Sequence, residues 1–170
     1  NTSSSSQGAS LRLGSNDGGA MGDDHRLGVI SFRGSEDGSG TMTEGARIDA
    51  ICDAGWSATE NGASLRFFTT DGNAVETERM TITSAGNISI GNASPSPVYA
   101  DYSSLQIGGQ GLIFSDTTAG TDKSVYIGNN VFRHTDGTWD TIVNDEQMLY
   151  EQHGGKHYFY IGAAHASVSS

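Results

Sequence analysis

Five times along the chain, two apolar residues flank one residue of any kind and are followed by glycine. The copies are Leu11 to Gly14, Ile88 to Gly91, Leu105 to Gly108, Val125 to Gly128 and Phe159 to Gly162. Apolar residues at period two are the mark of a strand with one face buried. Glycine ends or bends such a strand because it enters φ > 0 without steric penalty. Each copy therefore reads as a short strand that offers two inward residues and then a corner. The spacing between copies is irregular, so no strict solenoid period is implied. Strands this short bury too little alone and need a partner surface.

Composition points the same way. Gly, Ser, Thr, Asn and Asp make up about half of the 170 residues, and hydrophobic residues only 35%, against the roughly 45–50% of an ordinary soluble domain on a count that includes Gly. Turns and short strands are favoured over helices, and one chain alone has little with which to fill a large core. The expected fold class is all-β. Copies of the chain packed around a threefold axis would supply the missing surface and cover the strand edges, giving an intertwined or closely packed homotrimer. A monomeric β-sandwich of two packed sheets is the alternative.

Residues 1–7 form a Ser-rich lead-in. Strands are expected at Leu11–Leu13, Leu27–Phe32 with Ile30 and Phe32 on one face, Ala46–Cys52 and Leu65–Thr70, with turns at Gly-rich and Asp-Gly segments between them. Glu78 to Pro97 reads as a hairpin. Met80 and Ile82 alternate with Thr81 and Thr83, Ser84 to Asn87 forms the turn, and Ile88 and Ile90 follow. Gly86 and Asn87 are the residues there that tolerate φ > 0. Pro95 and Pro97 cannot sit in a central strand and mark a boundary, so residues 1–97 and 98–170 are read as two β units. The second unit carries strands at Leu105–Ile107, Leu112–Phe114, Val125–Ile127 and Tyr158–Ile161. Thr141 to Tyr150 is the one stretch with a weak helical pattern. The chain opens on Asn1-Thr2 without Met, which reads as a piece of something longer.

The formal net charge is −11, with Lys123 and Lys156 the only lysines. A nucleic-acid binder shows the opposite balance, since phosphates are neutralised by Lys and Arg. Approach to an anionic membrane is disfavoured too, and no apolar run reaches the ~18 residues of a membrane span. Cys52 is the single cysteine, so no intrachain disulfide forms. With Ile48 and Ala50 on the same strand face, it reads as a small buried hydrophobe, without the nearby positive charge of a reactive thiol.

Chemistry is hard to find. The histidines are His25, His134, His153, His157 and His165. Gly154-Gly155 argues against a helix carrying His153 and His157. On one strand they would stand roughly 13 Å apart, too far to share a metal within a chain. A threefold axis that gathers three copies of one histidine is the remaining route to a metal; exposed or edge histidines are the simpler reading. Carboxylates are plentiful, but most lie beside Gly in turns, where Asp satisfies backbone donors. No glycine loop fits a phosphate cradle, and no Gly-x-Ser-x-Gly elbow is present. No catalytic, cofactor-binding or metal-binding residue is therefore assigned. Trp56, Trp139, Tyr150, His157, Tyr158 and Tyr160 offer faces for sugar rings, although burial is the commonest use of aromatics. Phe159 and Ile161 are read as core, Tyr158 and Tyr160 as equally suited to surface or core, and Trp56 as leaning outward.

The stretch Glu78-Arg-Met-Thr-Ile-Thr-Ser-Ala-Gly-Asn-Ile-Ser-Ile-Gly91, followed by Ser94-Pro95, resembles a motif that recurs in tailed-phage tail fibres. The motif runs from an acidic residue and Arg-Met through a short strand and Gly-Asn to a second strand ending in Gly, with Ser-Pro after it. Gly28–Phe32, Ala46–Ala50 and Leu65–Gly72 upstream fit the same pattern. So do Ile113–Asp116, Tyr126–Asn130, Gly137–Trp139, Tyr150–Gln152 and Gly155–Phe159 downstream. The resemblance covers most of the chain. It implies a homotrimeric, β-rich structural segment of a virion's tail fibre, extracellular and without catalysis, whose receptor-binding residues are unknown. Its implied partners are its own copies, other tail or fibre proteins, and a host surface polysaccharide or protein receptor. Two other roles fit the residues. One is a carbohydrate-binding or carbohydrate-cleaving module of the fibre; the other is a segment of a bacterial trimeric adhesin.

Overall fold

The structure, a computed structural model, describes residues 9–16, 18–72, 75–91, 95–121 and 123–163. The expected lead-in at residues 1–7, Ser94 of the motif and His165 lie outside the described residues. The chain is all-β. The strands are β1 (Arg26–Ser35), β2 (Met42–Cys52), β3 (Ala63–Thr70), β4 (Glu76–Ile82), β5 (Ile88–Ile90), β6 (Tyr102–Ile107), β7 (Gly111–Asp116), β8 (Ser124–Asn129), β9 (Phe132–Arg133), β10 (Trp139–Asp140), β11 (Gln147–His153) and β12 (Lys156–Gly162). There is no helix among the described residues.

Ten of the strands form one sheet in the order β1-β2-β3-β4-β5-β6-β7-β8-β11-β12, and β9 and β10 pair as a separate ribbon. The sandwich alternative, two sheets stacked on one another, is not what this chain forms. Every neighbouring pair in the large sheet is antiparallel except β5 and β6, which run parallel with Ile88, Ser89 and Ile90 opposite Leu105, Gln106 and Ile107. The ladder is therefore continuous across Pro97. The expected boundary falls in the crossover between β5 and β6, the connection that a parallel pair requires.

The hairpin forms as read, with one difference in its turn. Gly86 alone there has positive φ, at 81°. Asn87 instead uses its side-chain carbonyl, accepting hydrogen bonds from the Ser104 amide at 2.9 Å and the Ser104 hydroxyl at 3.0 Å. The turn is thereby tied to β6 and helps fix the parallel pairing.

The crossover returns over one face of the sheet and helps to cap it. Ser96 donates its amide to Gln106 Oε1 at 2.7 Å, and Gln106 Nε2 donates to Gly109 O at 3.0 Å. Tyr99 N reaches Arg133 O at 2.8 Å, joining the crossover to the ribbon. Between this cap and the sheet lies the apolar core: Val98, Leu112, Phe114, Tyr126, Val131, Phe132 and Leu149. The Phe114 and Tyr126 rings stack with centroids 4.8 Å apart, and Trp139 closes edge-on against Tyr126 at 5.3 Å.

Three expectations fail for identifiable reasons. Leu11–Gly14 forms no strand, and Leu11 is 78% exposed. Leu13 instead lies against Gly28 so closely that a Cβ there would stand 2.8 Å from it. Residues 141–150 make bends and the start of β11, not a helical turn. Fully buried Asn130 holds them open, donating from Nδ2 to the carbonyls of Val143, Asp145 and Glu146 and accepting from Val143 N. The glycine corner is real at Gly91 and Gly108, with φ of 75° and 62°. Gly128, in contrast, stays within β8, where a Cβ would meet the Val131 side chain at 2.9 Å.

Asn130 also adopts a φ of 57°, which Asn tolerates better than other side-chain-bearing residues. Asn130→Ala should therefore destabilise the protein by roughly 2–4 kcal/mol, because the substitution unpairs several backbone groups and keeps the strained φ. The midpoint of urea unfolding measures this.

Candidate functional site

Register carries sidedness across the sheet, because residues paired on adjacent strands point to the same face. Ala50, Leu65, Ile82, Ile88, Leu105, Ile113, Ile127, Tyr150 and Phe159 form one transverse row. Ile48, Phe67, Met80, Ile90 and Ile107 form the row beside it. Four of the five apolar-x-apolar-Gly copies put both apolar residues on this same face. Yet no other strand of the described chain stacks on it. Ile90, Ile107, Val125 and Ile127 are all exposed, and the residues expected in a core, Phe159 and Ile161, are 77% and 85% exposed. They are outward because the cap lies on the opposite side and β12 is an edge strand.

The opposite face divides at the β5–β6 seam. Beyond the seam it carries the capped core. Before it, the face is polar: Arg47 contacts Glu44, Glu76 and Asp49, and its guanidinium sits 4.0 Å from the centroid of the Phe68 ring. Buried Asp49 also pairs with Arg26 at 3.2 Å. Small polar residues fill the buried positions of the seam itself, with Thr81, Ser89 and Gln106 side by side. In the Met80 to Thr83 alternation it is the hydroxyl residue Thr81 that is fully covered within the single chain, while Met80 and Ile82 are half-buried.

A cleft of about 490 Å³ opens on the capped face where β11 and β12 extend past the ribbon. Tyr126 and Leu149 lie along the sheet side, Trp139 and Arg133 come from the ribbon, and Glu151 and Tyr160 come from β11 and β12. The Arg133 guanidinium lies 5.3 Å from the centroid of the Trp139 ring. Glu151 accepts hydrogen bonds from Ser124 Oγ at 3.0 Å and Tyr160 OH at 2.9 Å. That bond to the carboxylate holds the Tyr160 hydroxyl above the ordinary phenol range, and burial pushes the Tyr126 hydroxyl up. Arg133 and Glu151 were not singled out in the sequence, since it is the fold-back of the ribbon that brings them to one place.

The named aromatics separate. Trp139 and Tyr160 line this cleft, while Tyr158 stacks beside Tyr160 with centroids 6.2 Å apart. Tyr150 points to the bare face and stacks on His157. Trp56 is half-buried, contrary to its outward assignment, because its indole N–H donates to Gly62 O at 3.0 Å.

Cys52 is fully buried, and that burial pushes its thiol up, as expected for a packing residue. Gly154 and Gly155 both have positive φ and make a two-residue hairpin turn. His153 and His157 therefore lie on adjacent strands and opposite faces, not on one strand. His153 is 2.9 Å from Ser124 Oγ, His25 accepts from Gly22 N, and His134 lies 3.3 Å from Asp136. Among the described residues of one chain, no group of three His, Cys, Asp or Glu side chains could hold a metal ion.

No protein-family model matches the chain, and no curated protein matches it. Among solved structures, the chain is similar to the carboxy-terminal domain of the bacteriophage T5 L-shaped tail fibre. The two are 8% identical over 84% of this chain and 89% of that one, with a TM-score of 0.45. At that level of likeness no residue role passes from one chain to the other.

The buried Tyr126 hydroxyl generates a pH prediction. Its folded-state pKa is raised, so the unfolded chain releases this proton first as pH climbs past about 10. Folding stability should be intact at neutral pH and fall above that point. Thermal unfolding followed from pH about 8 to about 11 should show the loss, and Tyr126→Phe should reduce it.

Proposed function

We propose that this chain is a structural, non-catalytic segment of a phage tail fibre that assembles as a homotrimer through its bare apolar face. The observation that carries the assembly is that face. Ten strands spaced about 4.8 Å apart and some six residues long give the sheet face that carries it roughly 40 Å by 20 Å, close to the ~800 Å² per partner of a stable protein interface. Along it Ile90, Ile107, Ile113, Ile127 and Phe159 are each more than 40% exposed, and surface hydrophobics clustered in this way mark interaction sites. The residues of its two rows are aliphatic or aromatic and come from nine different strands, so a second copy meets a band of hydrocarbon that runs across the sheet.

The fibre role rests on the Glu78 to Gly91 hairpin motif and its companions along the chain. In this role the segment is an extracellular part of the virion. Its partners are its own copies, neighbouring tail or fibre proteins, and the host surface polysaccharide or protein receptor that the fibre is used to reach. A net charge of −11 suits a solvated shaft that does not cling to nucleic acid.

Light scattering behind a sizing column should give three times the 17.8 kDa chain mass. A folded monomer at micromolar concentration overturns the proposal, and a dimer overturns its threefold order. Ile127→Glu places a carboxylate on the bare face between Ile113 and Tyr150. It should raise the concentration needed for assembly by roughly 100-fold or more.

A further inference from the structure

We propose that the cleft between the β9–β10 ribbon and the β11–β12 hairpin is a saccharide-binding subsite that holds one sugar ring of a surface polysaccharide. The tail-fibre reading bears on where that polysaccharide comes from; the cleft's chemistry stands on its own residues.

The cleft has the size for such a ligand. Its volume of about 490 Å³ lies within the range of small-molecule sites and exceeds what one hexose fills. It also has flat apolar faces. Trp139 is 41% exposed and Tyr160 46% exposed, one on each side of the opening. A pyranose presents a C–H face that packs on an aromatic ring and a rim of hydroxyls that needs polar partners.

Those partners are present and incompletely used. Arg133 has no carboxylate partner among the described residues, and its Nε is buried without a hydrogen bond. Across the cleft, Glu151 is held by Ser124 and Tyr160 and forms no ion pair among the described residues. Its carboxylate has acceptor capacity beyond those two bonds. A donor and an acceptor of opposite charge, converging on one space without neutralising each other, match a polyol whose hydroxyls both accept and donate. A simple anion would meet Glu151, a cation would meet Arg133, and an apolar ligand would leave both without water. Among the described residues Glu151 is also the one carboxylate that lines the cleft, whereas glycoside hydrolysis generally needs two. The arrangement favours binding over cleavage.

Position supports the same use. Tyr126, Leu149, Glu151 and Tyr160 alternate along their strands with Ile127, Tyr150 and Phe159, so these four side chains face away from the bare face, and of the bare-face residues Ile161 on edge strand β12 borders the cleft. An assembly built through that face leaves the cleft free.

The test is saturation-transfer difference NMR on the intact chain with the methyl glycosides of glucose, galactose, mannose, N-acetylglucosamine and glucuronic acid, each at millimolar concentration. At least one should show transfer and shift the Trp139 indole N–H resonance. Arg133→Gln and Glu151→Gln should each weaken that glycoside at least tenfold, with the molecular mass by light scattering unchanged. Trp139→Ala is the less decisive variant because its ring also packs on Tyr126. The proposal is overturned if no glycoside binds, or if binding survives both Arg133→Gln and Glu151→Gln undiminished. Repeating the measurement on Ile127→Glu separates the two readings: binding retained by a dissociated chain supports the cleft whatever becomes of the fibre assembly. Binding lost with the sheet still folded assigns the sugar to the interface and overturns the cleft.

Discussion

The sheet's pairing register is the constraint on which everything else depends. Side chains alternate with period two, so a slip of one residue between any two strands would move the following apolar rows to the other face. Three irregularities, at Arg26/Gly28, Phe32/Arg33 and Phe67/Phe68, let long strands bend while preserving that sidedness. At the single parallel junction only three residue pairs hold the register. There the hydrogen bonds from Ser104 to Asn87 add a side-chain clamp to the short backbone ladder. Because sidedness survives this junction, aliphatic residues from both halves of the chain lie in common rows.

The two halves resolve the opposite face in different ways. After the seam, the crossover and the ribbon fold back and enclose aromatic rings in edge and stacked contacts. Before the seam, Arg47 and Asp49 organise a charged network over Phe68. A charged network at partly exposed sites tolerates water and needs no apolar cover, though one oxygen of Asp49 remains buried and unpaired. This difference accounts for the lean apolar content. The chain carries enough hydrocarbon for one full face and for half of the other.

Strand positions were legible because alternation is a local property. Leu27–Phe32, Ala46–Cys52, Leu65–Thr70 and both arms of the hairpin all appear as strands at those places. Which face is covered was not legible, since period two separates the faces without saying which of them meets other atoms. Gln106 is buried where Ser96 of the crossover donates to its side chain, ten positions away in sequence, and that is a long-range fact. The cap was equally hidden: β9 and β10 span two residues each, too few for any periodic signal. The same reason explains the cleft. Trp139 could be named as an aromatic with a polar neighbourhood, but Arg133 and Glu151 are eighteen positions apart in sequence and come together only when the ribbon folds back.

The parallel seam has a consequence for how such chains diversify. Its demands on sequence are slight: two aliphatic residues around one small polar residue in β5, a similar triplet around Gln106 in β6, and an Asn at the preceding turn. Each antiparallel block turns back on itself and completes its own hydrogen bonding apart from this short strip. A joint with so few requirements behaves like a standard coupling. Any block that ends in the same few residues presents the same three pairing positions, and its aliphatic rows come into line with those of its neighbour.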